Sequence, residues 1–178
     1  CRAIYNKKSK GLIKSSNIAI KASRGKFIIR LDADDYLHPN ALSIFYDKIK
    51  TDSSIALVYS DYYLVDKDKN ILSLEKQFNR SGSIDNDKPV LAACCLIRKN
   101  AIFSVNLYDE RFSRQDGYDL WYKLIKNYKL QHVSLPLFFY RRHDKNLTTN
   151  QNKLYKVRTK ILRKFSEKKK KIINLDIY

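Results

Sequence analysis

From residue 11 to 22 the small and apolar residues Leu12, Ile18, Ala19 and Ala22 recur at helical intervals, and Gly25 follows as a stop, so this stretch reads as a helix. Phe27-Ile28-Ile29-Arg30-Leu31 then reads as a short apolar strand running into the acidic turn Asp32-Ala33-Asp34-Asp35. Pro39 suits a first helical turn and opens a helix that reaches about Lys50. Helix, strand, acidic turn and helix make an α/β unit, and in such units ligands bind beyond the carboxyl ends of the strands.

A second strand is expected over 55–59, leading into Ser60-Asp61-Tyr62-Tyr63. A polar turn over 66–70 precedes Ile71-Leu72, so the pair reads as a hairpin on the sheet edge. Residues 79–88 are polar and read as a mobile loop, and 90–97 as an apolar strand. Over 117–127 Leu120, Trp121, Leu124 and Ile125 form one buried helical stripe, and Asp116 stands where an N-cap belongs. Residues 135–140 read as another buried strand, ended by Arg141-Arg142-His143. After Asn146 the pattern changes to a basic amphipathic helix with Leu154, Val157, Ile161, Leu162 and Phe165 on one side. The expected division is therefore a core over 1–146 and a basic helical tail over 147–178.

Composition narrows the classes. A chain of 178 residues, 44% hydrophobic and 12% aromatic, is long enough to bury one core and too apolar for disorder. Lys and Arg number 36 against 18 Asp and Glu, a field that attracts phosphates, nucleic acid or anionic lipid head groups. Ten of the basic and two of the acidic residues lie between 151 and 178, which points to peripheral contact of the tail with an anionic membrane surface. Three cysteines without metal-type spacing make neither a disulfide framework nor a zinc site, so a reducing cytoplasm is expected. No apolar run approaches the roughly 18 residues of a membrane span, and no secretory signal opens the chain. The chain starts at Cys1 and contains no Met, which reads as a fragment or a trimmed product.

The chemistry concentrates at two places. Three carboxylates within four positions repel one another, and a cation neutralises such a cluster most simply. Oxygen ligands on a short turn suit Mg²⁺ or Mn²⁺, with substrate phosphates completing the shell. A solvated turn is the plainer alternative for the same residues. At the second place, Gln115-Asp116-Gly117-Tyr118-Asp119-Leu120-Trp121, Asp116 and Asp119 serve equally as helix N-terminal carboxylates or as a general base. Cys94 and Cys95 read as buried small hydrophobes.

The run Ala22-Ser23-Arg24-Gly25-Lys26-Phe27-Ile28-Ile29-Arg30-Leu31-Asp32-Ala33-Asp34-Asp35, preceded by Gly11-Leu12 and Asn17-Ile18-Ala19-Ile20, resembles the segment around the DxD motif of family two glycosyltransferases. The resemblance implies a GT-A fold, a mixed sheet flanked by helices, here as a partial domain. It also implies transfer of a sugar, with inversion, from a nucleotide-sugar donor to a carbohydrate or lipid-linked acceptor. By it Asn17, Arg24, Asp32 and Asp34 meet the nucleotide sugar, while Asp34 and Asp35 hold Mn²⁺ or Mg²⁺. The Asp116 segment resembles the family's later "E-D…Y-D-L-W" motif, and Tyr140-Arg141-Arg142-His143 its distal "Y-R-x-H". That makes Asp116 the general base, Asp119 the alternative, and His143 a further metal ligand.

Three departures stand against this resemblance. Gln115 replaces the usual Glu, Ala92-Ala93-Cys94 stands where many relatives carry a Gly-containing loop, and the opening "P-x-Y-N" and "D-D-G-S" strands that bind base and ribose are absent. Poor nucleotide binding by the chain alone is therefore expected. The processive "Q-x-x-R-W" pattern is missing too, which points to a non-processive enzyme. Other classes considered are a nucleotidyltransferase and a basic nucleic-acid-binding module. Nucleic acid is not expected as a partner, because the aromatics fall within apolar strands and no binding motif appears.

Overall fold

In a computed structural model of the chain, residues 2–77, 93–144, 146 and 151–173 are described. They form α1 (Leu12–Ala22), β1 (Phe27–Ile29), β2 (Tyr36–Leu37), α2 (Ala41–Ile49), β3 (Ile55–Val65) and β4 (Ile71–Glu75). The chain continues with β5 (Leu96–Arg98), α3 (Lys99–Ser104), α4 (Asp116–Leu124), β6 (Lys129–Arg141) and α5 (Gln151–Ile173). The expected 79–88 loop and residues 90–92 of the expected strand lie outside the described residues.

The sheet grows from β3, whose apolar run is buried from Ile55 to Asp61. β6 pairs with it in parallel from Ile55 opposite Lys129 to Val65 opposite Arg141. Antiparallel β5 takes the other side at Leu57 and Val58, and antiparallel β4 joins beyond Tyr62. The order is β1-β5-β3-β6-β2, with β4 on the far half of β3. Strand alternation divides the core into two layers. Leu57, Tyr59 and Ile97 face α1, α4 and α5, packing with Ile13, Ile20, Leu120, Trp121 and Ile161. Val58, Leu96 and Leu137 face α2 through Ala41, Phe45 and Ile49, which recur at intervals of four.

Several expected details shift. The buried face of α1 is Ile13, Asn17 and Ile20, whereas Ala19 is exposed. Pro39 precedes α2, which starts at Ala41. β3 and β6 run well past 55–59 and 135–140 because they sustain each other's hydrogen bonds. Residues 93–94 form a turn, and the strand starts only at Leu96. Cys94 there takes φ 58, a left-handed conformation that favours Gly. It falls within the segment where relatives carry a glycine-containing loop. The hairpin turn is as read: Asp66 Oδ1 accepts the Asp68 and Asn70 N–H groups at 2.8 and 2.9 Å.

The basic tail is built into the core. Ile161 is fully buried, Val157 and Phe165 pack on the same cluster, and the Phe165 ring stacks on Tyr122 at 5.0 Å. Lys164 reaches Asp119 Oδ1 at 2.5 Å and Asp109 Oδ2 at 2.7 Å, and Lys123 lies 2.8 Å from Asp119 Oδ2. Asp119 is fully buried, so its charge depends on these two ammonium groups. Part of the tail's positive charge thus balances the interior, and Val157, Ile161 and Phe165 of its apolar stripe pack on the core, whereas Leu162 is exposed. Lys164→Ala is expected to strip one partner from a buried carboxylate at a cost of about 3 kcal/mol. Thermal unfolding checks this, with a fall in Tm of roughly 10 °C for a domain of this size; an unchanged Tm would show that α5 does not support the core.

Candidate active site

β1 ends at Ile29, and the next six residues cross the carboxyl end of the sheet before β2 begins. Four carboxylates gather there, two of them sharing one partner. Arg30 donates from Nη1 to Asp116 Oδ2 and from Nη2 to Asp32 Oδ2 at 3.4 Å, and its Nε forms an ion-pair contact with Asp32 Oδ1 at 3.0 Å. Asp34 Oδ2 lies 2.9 Å from His143 Nε2. Asp35 Oδ1 accepts the Arg141 N–H at 2.9 Å, while Asp35 Oδ2 is buried without a hydrogen-bond partner among the described residues. Arg141 ties the turn further, donating from Nε to the Asp34 carbonyl at 2.9 Å and from Nη1 to the Lys67 carbonyl at 3.0 Å.

Burial sets the electrostatics. It pushes the Asp35 carboxyl up to about 7; the Arg141 N–H pulls it down, and repulsion from Asp34 and Asp32 adds to the rise. Burial also raises Asp32, with the Arg30 cation opposing it. His143 is held in place by its turn: its N–H donates to Asn146 Oδ1 at 2.5 Å, and Asn146 Nδ2 donates to the Arg141 carbonyl at 3.1 Å.

The structure brings together Asp32 and Asp116 through Arg30, and Asp34 with His143. The expected metal trio does not converge: Asp34 and His143 touch, but Asp35 turns toward β6, and no group of three possible metal ligands occurs among the described residues. The donor set therefore fits a divalent ion in part. Asp34 and His143 would offer an oxygen and a nitrogen ligand, and the unpartnered Asp35 Oδ2 is the kind of buried acceptor that a cation nearby relieves. Asp116 is not an N-cap. That position belongs to Gln115, in a left-handed conformation at φ 60, and Asp116 is the first helical residue of α4. Asp119 points into the core onto Lys164 and Lys123, away from this cluster.

A cavity of about 530 Å³ adjoins the cluster, lined by Ser15, Ser16 and Ala19 of α1 and by Arg30, Asp32 and Tyr108. The small residues of α1 leave the space, and the size suits a small-molecule ligand. Asn17 and Arg24 do not line it. The Asn17 side chain is buried, donating to the Tyr108 carbonyl at 2.9 Å and to Glu110 Oε1 at 3.0 Å while accepting the Tyr108 N–H at 3.1 Å. Arg24 is exposed in the turn between α1 and β1.

The comparisons now bear on this arrangement. The family model described as "Glycosyl transferase family 2" matches residues 1–112. The chain belongs to glycosyl transferase family 2. It is 30% identical over 143 residues to an uncharacterized glycosyltransferase of Methanocaldococcus jannaschii, covering 78% of this chain and 49% of that protein. It is 37% identical over 68 residues to chondroitin synthase of Escherichia coli, covering 38% of this chain and 10% of the synthase. The chain thus spans half or less of these curated relatives. The crystal structure of S. aureus TarS 1-349 matches with a TM-score of 0.60 at 15% identity, over 88% of this chain and 45% of that one. That likeness shows the GT-A fold, here as a partial domain. The family 2 match ends before α4, so Asp116 and His143 enter through the fold rather than through the matched segment.

Two residues that sequence reasoning passed over tie this cluster together, Arg30 and Arg141. Arg30 is a lone charge inside an apolar strand run, and an inward-facing arginine demands an acidic partner. Arg141 stands in the quoted Tyr140-Arg141-Arg142-His143 motif, from which only His143 was drawn. The placement of Asn17 yields a prediction. Asn17→Ala removes three hydrogen bonds between α1 and the 108–110 segment and is expected to destabilise the fold by about 2 kcal/mol. Denaturant unfolding checks it; unchanged stability with lost nucleotide binding would return Asn17 to the donor site.

Proposed function

We propose that this chain is the catalytic part of an inverting, metal-dependent glycosyltransferase that acts on a nucleotide-sugar donor in surface polysaccharide or glycoconjugate synthesis. The observation that carries the reading is the joining of Asp116 to Asp32 through Arg30 at the edge of the 530 Å³ cavity. In this reading the nucleoside of the donor occupies the cavity beside Asp32 and the small face of α1. The diphosphate would lie over the acidic turn toward Asp34 and His143, the residues that would hold Mn²⁺ or Mg²⁺. When bound, the ion offsets charge on the departing nucleoside diphosphate.

The chain's own residues supply the remaining chemistry. Asp116 accepts the proton of the acceptor hydroxyl as its oxygen attacks the anomeric carbon, and a single direct displacement inverts that centre. Asp35 acts from inside, fixing the turn to β6 so that Asp34 keeps its place. The acceptor is a carbohydrate or lipid-linked glycan, and TarS, solved with UDP-GlcNAc, supports a UDP-sugar as the first donor to test. A cytoplasmic location fits the burial of Cys94 and Cys95 as small hydrophobic residues of the core. No helix of the described residues is long and apolar enough to cross a membrane. Any peripheral contact with an anionic surface would rest on the exposed charges of α5 and on Leu162, since Val157, Ile161 and Phe165 pack on the core.

Two substitutions in the intact protein test this. Asp116→Asn is expected to keep nucleotide binding and to lower turnover by about a hundredfold or more. Asp34→Asn is expected to abolish the Mn²⁺-dependent part of UDP binding, read by calorimetry with and without Mn²⁺. Wild-type turnover in Asp116→Asn would remove the base assignment, and undiminished Mn²⁺ dependence in Asp34→Asn would remove the metal assignment.

A further inference from the structure

Arg30 joins Asp32 to Asp116, and the reading above gives it no chemical task of its own. Its backbone is fixed, because the Arg30 carbonyl accepts the Cys94 N–H at 2.7 Å just after β1. Its guanidinium lies 5.9 Å from the centre of the Tyr108 ring, and Tyr108 is itself clamped to α1 by Asn17. The side chain is only 16% exposed, and that of Asp116 only 10%. From this fixed position Nε and Nη2 reach Asp32 while Nη1 reaches Asp116. A planar fork of five N–H donors can hold two carboxylates at once in a set orientation, which a lysine ammonium cannot reproduce.

Only Oδ2 of Asp116 is engaged; Oδ1 takes no hydrogen bond among the described residues. A carboxylate tethered by one oxygen presents the other in a defined direction, which is what a general base requires when it must meet one hydroxyl. We propose that Arg30 is a positioning residue: it aims Asp116 at the acceptor and fixes its distance from Asp32, so that the base and the donor nucleoside share one rigid reference. The proposal rests on the reading of Asp116 as general base and of Asp32 as a donor contact. It gives the arginine a catalytic consequence without contact to the reacting atoms.

The test uses Arg30→Lys, which keeps the charge against Asp32 and Asp116 but loses the fork, in the intact protein with the fastest donor from a panel of UDP-, GDP-, CDP- and dTDP-sugars. Arg30→Ala is the second variant, and circular dichroism establishes that each is folded. Four enzymes are compared: wild type, Arg30→Lys, Asp116→Asn and the double variant. A misaimed base is expected to lower kcat by roughly tenfold to a hundredfold in Arg30→Lys, with little change in donor KM, since small misplacements carry losses of that order. In the Asp116→Asn background the same change is expected to have almost no further effect, because there is no base left to aim. Wild-type kcat in Arg30→Lys, an increase in kcat, or losses that multiply in the double variant would each overturn the proposal. If Asp116→Asn alone keeps its turnover, the base assignment fails first and the proposal falls with it. Loss in Asp116→Asn beside full activity in both Arg30 variants would sink the positioning role and leave the base assignment standing.

Discussion

Four carboxylates, Asp32, Asp34, Asp35 and Asp116, meet at the carboxyl end of one sheet, and like charges so close together in a partly buried place oppose folding unless each is compensated. Three kinds of partner compensate them: Asp32 and Asp116 share the Arg30 guanidinium, Asp34 has an imidazole, and Asp35 has a backbone N–H. The sheet order follows this need. β6 must run its full length beside β3 to bring Arg141 and His143 over the acidic turn. Residues 93–94 must turn tightly to place the Cys94 N–H on the Arg30 carbonyl. The two longest strands and the most strained turn near the site both serve the placement of counter-charges.

The same constraint explains part of the chain's positive excess. Asp119, fully buried beneath the site, is held by Lys123 from its own helix and Lys164 from α5. Lys164 also reaches Asp109, which Arg111 grips from outside at 2.6 Å. Breaking a buried pair by removing one partner costs several kcal/mol, whereas an exposed lysine contributes little. The charges of α5 therefore divide into one that the fold requires and a surface set that remains available to phosphates.

The sequence made the α/β class and the acidic turn legible, because periodicity and the run from Asn17 to Asp35 are local signals. What it hid was long-range. The hairpin turn was readable since Asp66 bonds its own neighbours; the lengths of β3 and β6 were not, since each is extended by a partner more than sixty residues away. Asn17 looked like a ligand contact from its motif, yet its bonding partners lie ninety residues on, at Tyr108 and Glu110. Asp35 stands apart from Asp34 and His143 for a related reason. A strand that arrives late in the chain offers a backbone N–H that no count of acidic residues foretells. Arg30 was visible as an anomaly, a charge within an apolar strand, but its partner Asp116 could be identified only once α4 was placed.

The two halves of the cluster also differ in how readily their partners exchange. The Asp34 and His143 side chains are 37% and 35% exposed, so that contact competes with water and can yield to a cation and phosphate at small cost. The Arg30 contacts with Asp116 are far less exposed, and removing them strands a charge in a place where water cannot replace the lost bonds. In the proposed mechanism, a transferase that accepts and releases a charged donor in every cycle while keeping Asp116 aimed would gain from this asymmetry: exchange would fall on the exposed side, and the side that has to stay in register would be the one the fold has sealed.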